Sequence, residues 1–403
     1  MAEAQAAQRV PAPAPSHAVE ASEAAARGVH AAALAALPRA SSGRLAKLLN
    51  HRDPSEVWSQ AVAGELPGWA VDPDLADLWR IHARDRDLDA LAEQLAALDA
   101  WVTTPLSPDH PPALIDDIDP APILFRRGRV PDDSAPAAAI VGTRRCTPTG
   151  RSVAMELGSD LAAAGVTVVS GLALGIDGAA HRGALAAAAA AVVGVVGSGL
   201  DRVYPRGNRD LWDEVAAAGT LLSEAPLGAE PEGWRFPARN RLLVALADVV
   251  VVVESKRAGG SMHTVEEAVR RGVVVMAVPG SVRNPAAQGT NLLLSEGCPP
   301  VCSSDDVLVA LDLATAGTVG GSAGGTAGGA VGGEPAAAQT GDAGARSLDP
   351  LQKRLLRLLD DGPVSLDALV LRAASPVPEV LVAAEALERL GLLARDGALV
   401  LRA

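Results

Sequence analysis

Residues 236–253 read FPARNRLLVALADVVVVV. The first part has the make-up of a helix running to about Ala247. The second, Asp248–Val253, is a β-branched run with no polar alternation. A strand that apolar has no wet face, so it belongs inside a parallel sheet covered by helices on both sides. At the mouth of the helix stand Phe236, Pro237 and three arginines, Arg235, Arg239 and Arg241. A helix start attracts anions through its unpaired N–H groups and positive dipole end. Arginine forks suit phosphate, and a phenylalanine face can stack a base. The same residues also read as a helix staple with solvated arginines, and this segment alone leaves both readings open.

Outward from it, the pattern repeats. Short apolar runs at 138–142, 166–170, 192–196, 220–223 and 273–279 alternate with helical patterns near 150–164, 176–190, 208–218 and 261–271. This predicts an α/β fold over 137–313, a Rossmann-like doubly wound parallel sheet. Ahead of it, residues 1–22 are Ala/Pro/Glu-rich and expected to be disordered. Residues 23–102 read as a small N-terminal helical module, with helices at 24–37, 43–50, 54–63, 73–83 and 88–98 and with Trp58, Trp69 and Trp79 as its core. Residues 103–136 form a polar connector. The Gly/Ala/Thr-rich stretch 314–347 reads as a flexible linker. Residues 348–403, ending in a hairpin at 395–401, have the element order of a C-terminal winged helix. That segment is acidic and lacks a basic recognition face, so protein contact is as open to it as DNA contact.

The 403-residue chain carries a net charge of −13, which excludes a generally basic nucleic-acid coat. Residues 140–300 are nearly balanced, with arginines grouped in loops, so any polyanion site is local. Cys146, Cys298 and Cys302 form no CxxC pair, which suits a reducing cytoplasm. The run Gly183–Leu200 is broken by Gly194, Gly197 and Gly199 and reads as a helix end plus a strand, so no membrane association is expected.

Ligands of open parallel sheets bind beyond the carboxyl ends of the strands. Those ends read GTRR (142–145), SGLALGID (170–177), GSGLDRVYPRGN (197–208), SEAP (223–226), ESKRAGGSMHT (254–264) and PGS (279–281). Gly, Ser and Thr let backbone amides approach an anion, and Arg144, Arg206 and Arg257 recur at the same edge. No GxxxxGK[ST] is present, and Gly197-x-Gly199 lacks the third glycine of a dinucleotide fingerprint. Asp248 and Glu254 imitate part of a nuclease D…ExK, but along one strand they would lie about 20 Å apart, too far to share a metal. The seven histidines show no ligand spacing. Asp177 and His181 read either as an N-cap with a packed histidine or as a catalytic pair.

VGTRR, VSGLALGIDGAAH, GSGLDRVYPRGN, LLSEAPLG, FPARNRLL, VVVES, AVPG and QGTNLL, in this order, resemble the signatures of the bacterial DNA-processing family DprA (Smf). DHPPALIDDIDPAPILFRRG resembles the family's lead-in. The N-terminal helices resemble its sterile-alpha-motif-like or helix-hairpin-helix module, and the C-terminal segment its winged helix. Three places depart from the pattern. GGSMHTV (259–265) replaces an SGSLITA-type loop, Thr149-Gly150 replaces Tyr-Gly, and PRASSG (38–43) lacks a Gly-x-Gly hairpin, which argues against DNA binding by the N-terminal module.

The resemblance implies a protein without catalysis, metal or cofactor that binds and protects incoming single-stranded DNA in transformation and recombination. It further implies a homodimer and RecA recombinase as partner. On this reading the DNA-binding residues are Gly142, Thr143, Arg144, Ser170, Gly171, Gly175, Gly199, Arg235, Phe236, Arg239, Asn240, Arg241, Lys256, Gly260, Ser261 and Thr264. Arg144, Arg239, Arg241 and the loop amides hold phosphates, and Phe236 stacks a base. One of the helix arginines could instead pair with Glu224 or Glu254 as a brace. The alternative from another class is a nucleotide-sugar or nucleoside monophosphate hydrolase of the lysine-decarboxylase-like group, since Gly259–Glu267 nearly matches its GG-x-GT-xx-E loop.

Overall fold

The computed structural model of the chain describes residues 17–130, 134–187 and 191–319, with scattered positions between 351 and 402. It divides into compact units at 1–324 and 325–403.

The first unit opens with helices α1 (His17–Ala35), α2 (Ser42–Leu49), α3 (Pro54–Ala63), α4 (Pro73–Arg84) and α5 (Leu88–Ala97). Asp53, Asp72 and Asp87 cap α3, α4 and α5 through their carboxylates, two of them ahead of a proline at the first helical position. Trp58 and Trp79 are buried as expected, and the Trp79 indole donates to the Pro38 carbonyl at 2.7 Å. Trp69 is not core. It sits in a loop and is 69% exposed. Helix α1 begins inside the stretch expected to be disordered, and residues 1–16 lie outside the described residues.

The chain continues through β1 (Ala100–Thr103), α6 (Pro112–Ile115), β2 (Leu124–Gly128), β3 (Ala137–Val141), α7 (Pro148–Ala163), β4 (Thr167–Ser170), α8 (Ile176–Ala186), β5 (Val192–Val195), α9 (Arg209–Ala218) and β6 (Thr220–Ser223). It ends with α10 (Arg235–Ala245), β7 (Val249–Val252), α11 (Ser261–Arg271), β8 (Val274–Ala277), α12 (Gln288–Ser295) and α13 (Ser304–Val319). The eight strands form one sheet in the order β1-β2-β6-β5-β4-β3-β7-β8. Strands β3 to β8 are mutually parallel, and β1 and β2 join antiparallel at one edge, β2 pairing with β6. The stretch read as a connector therefore extends the sheet. Its strand signal was masked by Arg126 and Arg127. Arg126 is wholly buried, donates to the Asp109 carbonyl and lies over the Trp101 ring.

Alternate residues of each strand enter two different cores. Ala138, Ile140, Val168, Val249 and Val251 pack with α7, α8, α9 and the N-terminal helices. Ala139, Val141, Val169, Val250 and Val252 pack with α10, α11 and α12. That double burial is why the run Val249–Val253 lacks any polar position. From β3 the chain winds outward to β6, then α10 carries it back to β7 on the other side of β3. The order reverses between β3 and β7, and their carboxyl ends open a crevice there. Helix α13 continues to Val319, into the stretch expected as linker, and the rest of that linker lies outside the described residues.

In the second unit β9 (Val364–Ser365), β10 (Leu393–Asp396) and β11 (Leu399–Arg402) form an antiparallel sheet in the order β10-β11-β9. Helical positions at Leu355, Ala373, Val380 and Leu387 are buried. With this sheet they make a winged-helix architecture. The third strand was not apparent in the sequence, because β9 spans only two residues. Among the described residues no helix is long and apolar enough to cross a membrane.

Candidate nucleic-acid interface at the switch point

The crevice between the ends of β3 and β7 is a cleft of about 740 Å³. Ten of the predicted residues converge on it or its inner wall: Gly142, Thr143, Arg144, Phe236, Arg239, Asn240, Lys256, Gly260, Ser261 and Thr264. Their supports are local. Gly142–Arg144 follow β3 directly, Lys256 follows β7, Gly260–Thr264 open α11, and Phe236 and Asn240 share one face of α10 at a spacing of one turn.

One aromatic stack marks the rim. The Arg144 guanidinium lies 4.9 Å from the Phe236 ring centroid, and Tyr204 approaches the same ring at 5.4 Å and 38°. Tyr204 is the only tyrosine of the chain and is 39% exposed. Tyr204 is not among the residues expected at the site, although a lone aromatic in a strand-end loop is a signal for it. At the floor, the first turn of α11 presents Gly260, at which an added Cβ would meet nothing within 4 Å. Ser261 anchors that turn by donating to Ser255 Oγ at 2.8 Å. An open helix N-terminus beside two cations is suited to an anion.

Beneath the rim lies a buried charged group. Asp177 is enclosed against the amides of Gly142 and Gly171 and faces Arg239. Burial pushes its carboxyl up from the ordinary value, while Arg239, the two amides and Arg144 pull the other way. Burial pushes Arg239 down to about 10, with Asp177 opposing and Arg144 adding to the fall. Arg239 donates to the Val195 carbonyl at 2.6 Å. His181 is wholly buried, which holds its pKa down at about 4 with a further contribution from Arg239. A Cβ at Gly171 would overlap both the Arg239 guanidinium and the Asp177 carboxylate, so only glycine lets the pair close. The N-cap of α8 is Gly175, at φ 84°, and not Asp177. Asp177 and His181 are therefore core groups under the cleft, neither a cap nor an exposed catalytic pair.

Several predicted contacts are engaged elsewhere. The Thr143 amide donates to the Glu254 carbonyl at 2.7 Å and the Gly199 amide to the Ala229 carbonyl at 3.0 Å. Ser170 Oγ donates to the Ile140 carbonyl at 2.6 Å. The amides of Gly142 and Gly171 serve Asp177, so of the loop amides expected to hold phosphate only those at the start of α11 are left as candidates. The segment Phe236–Arg241 lies inside α10, which starts at Arg235 with no side-chain cap. At about 100° per residue, Arg239 and Arg241 point to nearly opposite sides. Arg241 donates to the Asp119 carbonyl at 2.6 Å and pairs with Glu224 at 2.5 Å. It braces α10 to the sheet edge, the second of the two roles its sequence allowed. Arg235 lies over the Trp234 ring at 4.5 Å, on the far side of the first turn of α10. Asp248 accepts from the Ala137 amide, and Glu254 accepts from the amide and hydroxyl of Thr147, so these carboxylates tie strands and helices. Among the described residues no group of His, Cys, Asp and Glu could hold a metal.

The profile of the DNA recombination-mediator protein A family matches residues 101–312. Protein Smf of Synechocystis is 32% identical over 309 residues, covering 73% of this chain and 77% of its own length. DNA processing protein DprA of Bacillus subtilis is 37% identical over 211 residues, covering 52% of this chain and 71% of its own length. The X-ray structure of DNA processing protein A from Streptococcus pneumoniae superposes with a TM-score of 0.58 at 29% identity, over 70% of this chain and 96% of that one. By family profile, by relatives over most of its length and by fold, the chain belongs to the DprA/Smf family of DNA-processing proteins.

Proposed function

We propose that the chain binds single-stranded DNA in the switch-point cleft, without catalysis. Phosphates lie against Arg144, Lys256 and the amide end of α11, and a base packs on the Phe236–Tyr204 pair. The observation that carries this reading is the coincidence, within one cleft, of an aromatic platform, solvent-facing cations and an open helix N-terminus. Asn240, about nine-tenths buried on the Phe236 face, is in place to meet a base edge. The phosphate and stacking contacts carry little sequence information, so binding is expected to be largely general. In keeping with the family resemblance, the chain would act as a homodimer that protects incoming strands and hands them to RecA.

The hydrolase alternative needs the acidic residue of the Gly259–Glu267 loop in the cleft. Glu267 instead pairs with Arg270 and Arg271, and Arg271 also holds Asp117. Incubation with nucleoside monophosphates is expected to release no free base.

The deciding measurement is anisotropy of labelled single- and double-stranded oligonucleotides over a salt series. Single strands are expected to bind more tightly. With about four phosphate contacts at a slope of ~0.7 each, affinity falls roughly fiftyfold between 50 and 200 mM salt. Phe236→Ala is expected to weaken binding roughly 5- to 150-fold with the slope unchanged. A flat salt response, or a Phe236→Ala variant that binds like the parent, overturns the proposal.

A further inference from the structure

We infer that a second nucleotide subsite lies across the first turn of α10 from the switch-point cleft, with Trp234 as its stacking face and Arg235 and Arg39 as its phosphate contacts. The inference rests on the single-strand reading above. Its two walls come from distant parts of the chain. The loop between α1 and α2 supplies Arg39, Ser41 and Ser42, and the sheet edge and α10 supply Glu224, Trp234 and Arg235.

The space is a cleft of about 590 Å³. Trp234 is 61% exposed, an unusual position for the largest apolar side chain, yet its ring is held in place. Its indole N–H donates to Glu232 at 2.5 Å, and the Arg235 guanidinium covers one face at 4.5 Å. A fixed ring with an open side is what a stacked base requires, and the guanidinium behind it brings positive charge to the same spot. The charge balance favours an anion. Arg39, Arg235 and Arg239 line the cleft, Arg239 facing Asp177. Of the two carboxylates beside the cleft, Glu224 is already paired with Arg241 and accepts from Ser42 at 3.1 Å, and Glu232 is engaged by the Trp234 indole. Two buried donors, Nε of Arg235 and Nε of Arg239, lack a hydrogen-bond partner within the protein, and Arg239 is only 7% exposed. Buried cationic donors without partners are costly unless something else satisfies them.

The two clefts meet at Arg239, which lines both. Trp234 and Phe236 are two residues apart at the start of α10 and project to opposite sides of it. A strand with one base on Phe236 can therefore cross the helix start and set a further base on Trp234. A free nucleotide offers the same base-plus-phosphate chemistry, and the test separates the two sources.

Oligothymidylates of about 4 and about 12 nucleotides, within the span expected of single-strand sites, are titrated against the full chain and against Trp234→Ala, Trp234→Tyr, Arg235→Ala and Phe236→Ala. Thymidine monophosphate alone is titrated against the parent and Trp234→Ala by tryptophan emission. For a strand subsite, Trp234→Ala weakens the long oligonucleotide roughly 5- to 150-fold and leaves the short one unchanged. Trp234→Tyr restores most of the loss, and Arg235→Ala lowers the salt slope for the long one by ~0.7. Quenching by thymidine monophosphate that disappears in Trp234→Ala, with no length dependence, assigns the subsite to a free nucleotide. If Trp234→Ala and Arg235→Ala bind both lengths like the parent and no quenching is seen, while Phe236→Ala is impaired, the subsite is refuted and the main-cleft reading survives. If all variants bind like the parent, both fall. Trp234 is exposed, so its variants are expected to melt with the parent, and a melting curve checks this.

Discussion

Arg239 and Arg241 stand two positions apart on α10 and have different fates, which only their partners explain. Both are rotated into the protein, but Arg239 faces the buried Asp177 while Arg241 reaches Asp119 and Glu224. Local sequence shows two identical side chains on a helix. The partners that separate their roles lie far away in the chain, so no local pattern could assign them. Glycine types at the strand ends were legible for the same reason that their use was not. Composition reveals a backbone able to approach an anion, whereas Asp177 had already taken the Gly142 and Gly171 amides. Arg241→Ala leaves Glu224 enclosed without its cation, and burial already pushes that carboxyl up. Breaking a buried pair typically destabilises by about 3–5 kcal/mol, and partial exposure of this one reduces the expectation to about 2–3 kcal/mol. The variant is expected to melt earlier and to keep the parent's salt slope. Arg144→Ala is expected to melt close to the parent and to lower the slope by ~0.7. Melting curves and salt titrations on the two proteins check both halves, and exchanged phenotypes would reverse the assignment.

At the level of elements, the parallel core was readable because strands buried on both faces admit no polar residue. The runs at 166–170 and 220–223 were placed nearly to the residue for that reason. The antiparallel edge was not readable. In LFRRG, charge hid a strand whose first arginine is buried by contacts with Asp109 and Trp101. Helix α11 makes the sharpest test of the site at this scale. Its N-cap Gly260 has φ −61°, a conformation open to any residue, and space beyond its Cα. Gly260→Asp would place a carboxylate where the phosphate is proposed to sit. The helix dipole favours that charge, so stability should hold or rise by about 0.3–1 kcal/mol. Single-strand affinity should fall at least tenfold, since the carboxylate occupies the amide end and repels the backbone. A variant that binds normally would remove α11 from the interface.

For the molecule as a whole, charge and burial make separate demands. The net charge is −13, yet the cations of the cleft stand together at one sheet edge. A chain ending near residue 325 keeps that edge and is expected to bind single strands about as well as the full chain, which the same anisotropy titration measures. Stability should depend on pH through two enclosed histidines, His110 and His181, each held near pKa 4 mainly by burial. The unfolded chain takes up protons at these sites below about pH 6.5, while the folded chain stays neutral until about 4. Their contribution is thus complete above 6.5 and is lost as the pH falls through that window. Between pH 7 and 5 the loss is about 2 kcal/mol for each histidine. Asp177 and Glu224 act in the opposite sense. Burial raises both carboxyls, so the folded chain retains their protons above the pH at which the unfolded chain has released them, and their contribution declines as the pH rises through that range. A parent curve mixes these terms, and His110 separates them because it lies outside the cleft, between β1 and β2, with Thr103 Oγ1 3.0 Å from its Nδ1. His110→Gln keeps a hydrogen-bonding side chain and removes the titration. Urea unfolding at pH 7 and pH 5 should then show a fall in stability smaller than the parent's by about 2 kcal/mol. Equal falls in parent and variant would mean that His110 titrates normally and that its burial carries no linkage.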